Sequence, residues 1–157
     1  MDISRPSRRH AGGFSMIEVL IALVVLAVGL LGLALLQTMN LRYTKNAQQR
    51  TLAVNLAGEL LDTMRANRSE IAAYAMTQAS FDAVVPPTGG CETSAALTSA
   101  NNVLRWQCEV KEALGPDAWA EVDVTGAPEV EVTIGWDVAS MPSIGDEDGQ
   151  VVLETTL

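Results

Sequence analysis

From Val19 to Leu36 the sequence reads VLIALVVLAVGLLGLALL, without one charged or polar side chain. At roughly 1.5 Å of rise per residue this run makes a helix of about 27 Å, close to the hydrocarbon thickness of a bilayer. A helix in a soluble core needs one apolar stripe, whereas this run is apolar on every side. It predicts a membrane-inserted helix rather than a buried one. A single carboxylate, Glu18, stands directly before it, behind Gly12, Gly13 and Phe14.

Charge divides the chain unevenly. Residues 1–13 hold Arg5, Arg8 and Arg9 against Asp2, 3 − 1 = +2, so a net charge of −9 over 157 residues leaves −11 for the remainder. Beyond Lys111 no basic residue occurs, against eleven acidic ones. Phosphate contacts need Lys and Arg, which argues against nucleic acid as a partner. The acidic soluble part will not adhere to anionic headgroups either, and proteins are the expected partners. Secretory signals are cut after their apolar region, at small residues. Here Gly12 and Gly13 precede the apolar run, so a cut there removes the basic leader and leaves the run on a chain beginning with Phe14. Counting charges does not set orientation, because Arg42, Lys45 and Arg50 follow the run within about 15 residues.

Gly13-Phe14-Ser15-Met16-Ile17-Glu18, followed by an uninterrupted apolar helix, resembles the class III leader of type IV prepilins and type II secretion pseudopilins. The resemblance implies cleavage by prepilin peptidase on the cytoplasmic side after Gly13, and N-methylation of Phe14. It implies that Glu18, fifth in the mature chain, pairs with the terminal amine of a neighbouring subunit. An acidic side chain at a membrane segment costs several kcal/mol unless paired, which agrees with that role. The alternative is a Glu18 that snorkels to the headgroups. Val28–Gln37 and Asn55–Arg68, with the ending Met64-Arg65-Ala66-Asn67-Arg68, are similar to the PilV-type minor pilins of type IV pili.

That resemblance implies an α+β, pilin-like fold, with a long N-terminal helix packed on a small antiparallel sheet. Its expected parts are a removed leader (1–13), a transmembrane and filament-core half-helix (14–36), an amphipathic half-helix (37–67) and a periplasmic domain (68–157). It implies a minor pilin, built into the pilus or placed at its tip, that helps initiate or prime pilus assembly, with other minor pilins, the major pilin, prepilin peptidase and the inner membrane as partners. The protein would leave the inner membrane for a surface pilus. A type II secretion pseudopilin shares the leader and the helix. A periplasmic binding module on an uncleaved anchor is the alternative of a different class.

No proline occurs between Pro6 and Pro86, so nothing in that span forces a helix break. Leu52, Leu56, Leu60 and Met64 recur every four residues, widened by Ala53, Ala57 and Leu61, which predicts an amphipathic helix. Continuous from about Phe14 to Asn67, the helix would be roughly 80 Å long. Two helices joined at the polar residues 37–40 are the alternative. Gly29 and Gly32 are weak points, each costing about 1 kcal/mol against Ala. After Arg68 the pattern becomes loop-like, and 80–98 is turn-rich around Pro86-Pro87-Thr88-Gly89-Gly90. Residues 102–114 fit both a strand and a helix; related chains favour a helix ended by Gly115-Pro116. Strands are predicted at Trp119–Val124, Val130–Val138 and Val151–Leu157, forming a meander whose apolar face covers the Leu52–Met64 helix.

Cys91 and Cys108 would pair in an oxidising compartment, contributing about 3 kcal/mol by loop entropy. Two free buried thiols are the alternative. Neither a CxxC redox motif nor a zinc ligand set is present. The single histidine, His10, lies in the leader, which leaves no nucleophile–base pair in the mature chain. No catalytic residue, metal site, cofactor or small-molecule substrate is expected. Asp146-Glu147-Asp148-Gly149 reads as a solvated acidic turn rather than a calcium loop. Trp106, Trp119 and Trp136 read as core anchors.

Overall fold

The computed structural model describes residues 13–81, 83–91, 98–125, 128–138 and 149–157. The chain divides into two units, Met1–Arg42 and Tyr43–Leu157. Helix α1 runs Met16–Ala66. Residues 37–40 stay helical, against the two-helix alternative. The Thr38 hydroxyl donates to the Ala34 carbonyl at 3.1 Å, so this polar side chain is satisfied without leaving the helix.

Within the second unit the buried face of α1 is Ala53, Ala57, Leu60, Leu61 and Met64, while Leu52 and Leu56 are half-buried flanks. The face is therefore turned toward the alanines relative to the expected leucine stripe. Helix α2, Ser99–Leu114, buries Trp106, Gln107, Cys108, Val110 and Leu114. Its start is capped by Thr98, whose hydroxyl accepts from Asn101 N–H at 3.3 Å. At its end Gly115 adopts φ 118° and donates to the Lys111 carbonyl at 3.0 Å. Only glycine takes that backbone conformation without strain. The helical reading of 102–114 holds, with α2 beginning three residues earlier.

Strands β1 (Trp119–Asp123), β2 (Glu129–Trp136) and β3 (Gly149–Thr156) form the expected antiparallel meander in the order β1-β2-β3. Val124, Val138 and Leu157 lie outside these strands but pack on the core. The inner face carries Ala120, Val122, Val130, Val132, Ile134, Trp136 and Val151, and these share one core cluster with α1 and α2. The fold is α+β and pilin-like in architecture. Burial in β2 does not alternate as predicted, because Thr133 and Gly135 on its other face are also buried. Trp119 sits opposite Gly135 and stands where a Cβ on that glycine would be. Trp119 is thus a half-buried cover on the outer face rather than a core anchor, whereas Trp106 and Trp136 are buried.

The stretch after Arg68, expected as loop, contains two 3₁₀ segments, Arg68–Tyr74 and Gln78–Phe81. Between them Met76 pairs with Val122, Met76 N–H to Val122 carbonyl at 3.2 Å and Val122 N–H to Met76 carbonyl at 2.9 Å. This extends the sheet past β1 by one bridge. The leader up to Gly12 and the acidic turn Asp146–Asp148 lie outside the described residues.

Candidate assembly site

Phe14 is 84 % exposed, and the large apolar side chains from Met16 to Leu36 lie between 49 and 87 % exposed. Helix α1 thus begins with a stretch apolar on all sides, its large side chains exposed within their own unit. It is long and apolar enough to cross a membrane. Ser15 starts the helix: its carbonyl accepts from Glu18 N–H at 3.0 Å and from Val19 N–H at 3.3 Å. Glu18 falls in the first turn, where free backbone N–H groups favour a negative charge. It is exposed. Gly13, Phe14 and Glu18 therefore lie together at one helix start, as sequence neighbours must. Space beside Gly29 and Gly32 is open.

At the other end of α1, Met64–Arg68 is tied into the domain. Met64 is fully buried. Arg65 pairs with Asp62 at 2.7 Å and donates from Nη2 to Thr155 Oγ1 of β3 at 3.1 Å. Asn67 Nδ2 donates to the Thr63 carbonyl and to the Tyr74 hydroxyl, both at 3.1 Å, and Asn102 Nδ2 of α2 reaches the same hydroxyl at 3.4 Å. These contacts hold the helix end to β3, α2 and the first 3₁₀ segment. No reading of the sequence alone supplied them, since the partners outside the helix lie 7 to 90 positions away.

Beside this end, an open groove of about 810 Å³ runs along Val54, Gly58, Glu59, Asp62 and Asn102. Its carboxylates are already engaged, Glu59 with Arg105 at 3.5 Å and Asp62 with Arg65. Arg105 also approaches Glu109 at 3.7 Å. Burial raises the Glu109 pKa, helped by repulsion from Glu59 and Glu112, and Arg105 opposes the rise. The Glu59–Arg105 pair ties α1 to α2, and among the described residues Glu109 Oε2 stays buried without a hydrogen-bond partner. Cys91 and Cys108 form a disulfide, Cα–Cα 5.6 Å, that fastens Cys91 to α2. Among the described residues no cluster of His, Cys, Asp or Glu has the geometry for a metal ion.

Residues 8–34 match the family model of the prokaryotic N-terminal methylation motif. No curated protein and no solved structure matches the chain significantly. On the methylation motif, and on the bare apolar helix that carries it, this chain is similar to type IV prepilins.

Proposed function

We propose that the protein is a minor pilin of a type IV pilus, of the PilV type, cleaved by prepilin peptidase after Gly13 and N-methylated on Phe14. It helps to prime filament assembly with other minor pilins and the major pilin. The observation that carries this reading is the methylation motif on a helix whose large apolar side chains are exposed from Met16 to Leu36. Exposed apolar area of that extent requires a lipid or protein cover, stabilising by roughly 25 cal/mol per Å² removed from water. The bilayer provides the cover before assembly and neighbouring helices provide it in the filament. Glu18 pairs with the amine of an adjacent Phe14 and fixes the register of packing. The Cys91–Cys108 disulfide supports a periplasmic position for the folded domain.

The test is a clean deletion scored in parallel for surface pili and for secretion of a known exoprotein. Loss of pili with normal secretion is expected. Loss of secretion with normal pili would assign the protein to a type II secretion system instead. Neither defect, together with an uncleaved leader by mass, would leave an anchored binding module.

A further inference from the structure

We infer that Arg42, Tyr43 and Lys45 form a collar for anionic phospholipid headgroups just beyond the apolar run, resting on the reading of residues 19–36 as a membrane-crossing segment. Arg42 is six residues past Leu36, about 9 Å of helix. The polar layer on each side of a bilayer's hydrocarbon is about 5–8 Å deep, so a guanidinium on a stem bent back reaches the phosphates. Leu41 is 72 % exposed and Tyr43 is 55 % exposed, an apolar side chain and an amphipathic ring where a membrane interface accepts both. Lys45 follows within the next turn and is exposed. Neither Arg42 nor Lys45 makes an ion pair among the described residues.

The charge pattern selects a lipid surface as the occupant. Between Glu18 and Glu59 there is no acidic residue, and residues 37–58 carry +3 from Arg42, Lys45 and Arg50. Residues 59–157 carry four basic against seventeen acidic side chains, 4 − 17 = −13. An anionic surface therefore attracts this one band and repels the rest of the domain. The band also continues directly from the segment that the bilayer covers. Arg50 lies about 21 Å of helix past Leu36, beyond a Debye length of about 8 Å from the headgroups, and serves as an internal control.

The experiment uses the full chain in phosphatidylcholine vesicles at about 0.15 M salt, where the Debye length is about 8 Å, with trace spin-labelled phosphatidylglycerol or phosphatidylcholine. The motionally restricted fraction of each label gives their relative association with the protein. Phosphatidylglycerol should be preferred at least about twofold, with the preference falling toward one in R42Q/K45Q and with added salt. R50Q should keep it. A wild-type ratio of one overturns the collar, as does full preference in R42Q/K45Q or its loss in R5Q/R8Q/R9Q alone. Release of the chain from the vesicles by alkaline carbonate refutes the membrane span itself. Retention of the chain without lipid preference refutes only the collar.

Discussion

The indole Nε1 of Trp106 donates to the carbonyl of Leu56 at 2.8 Å, joining α2 to α1 across 50 positions of sequence. Leu56 lies in mid-helix, and a carbonyl oxygen has a second lone pair free for this donor. Trp106 is 2 % exposed, so its N–H needs such a partner. Phe81 meets the same indole edge-on, with centroids 6.2 Å apart and planes at 81°. One side chain thereby gathers α1, α2 and the second 3₁₀ segment.

Trp106→Phe removes the donor and part of the ring volume at once. We expect a loss of about 2–4 kcal/mol, from a cavity and a forfeited hydrogen bond. Urea unfolding of the full chain in detergent, followed by circular dichroism, measures it. A change below about 0.5 kcal/mol would mean that α2 is placed on α1 by other contacts.

Gly149 faces Trp136 across the β2–β3 ladder, and a Cβ at 149 would occupy the space of the indole. The same holds for Gly135 and Trp119. Trp136 is 4 % exposed and cannot swing away cheaply, whereas Trp119 is half-buried. Gly149→Ala should therefore destabilise by about 1–3 kcal/mol, and Gly135→Ala by less. Equal effects, or a greater one at 135, would contradict this assignment of inner and outer faces.

Glu109 titrates above the ordinary glutamate value of 4.5, chiefly through burial and then through Glu59, with Arg105 opposing. A raised folded pKa means that the folded state holds the proton more tightly than the unfolded one. The stabilising contribution is present below pH 4.5 and is lost as pH rises through the folded value. The stability of Glu109→Gln relative to wild type should accordingly increase between pH 4 and pH 7. Asp123 has the opposite sign, because Thr125 N–H and hydroxyl both donate to its carboxylate and lower its pKa. Asp123→Asn should lose ground over wild type as pH rises through 3.8. Paired unfolding curves across this range read both slopes, and parallel curves would refute them.

Features set by local chemistry were legible in the residues themselves. The run Val19–Leu36, the C-capping Gly115 and the alternation from Val130 to Trp136 each fix an element within a few neighbours. Features set by distant partners were not. Ile71, Tyr74, Met76 and Phe81 follow no helical or strand period, and their order comes from packing against α2 and β1. The Met64–Arg68 ending is occupied by bonds to Tyr74 and Thr155 that no spacing encodes. The helix face turned toward Ala53 and Ala57 for a similar reason. Small side chains allow closer packing there, and which neighbour fills the space is decided only in the fold.

On the proposed reading, variants of Glu18 and Gly13 separate assembly from processing. The side chain of Glu18 is exposed in the first turn of α1 and makes no ion pair among the described residues. Its removal should leave the domain and the cut after Gly13 intact. In an apolar filament core, an unpaired terminal amine costs several kcal/mol, so Glu18→Ala should reduce incorporation into pili at least about tenfold. Mass spectrometry of the mature chain reads cleavage and methylation at Phe14, and immunoblots of sheared pili read incorporation. Normal incorporation of Glu18→Ala would eliminate the pairing role. Gly13→Leu should do the reverse, stopping the reaction at the peptidase and leaving a full-mass precursor in the membrane. A shortened chain from that variant would move the cut site away from Gly13 and Phe14, and with it the proposed position of Glu18 in the mature subunit.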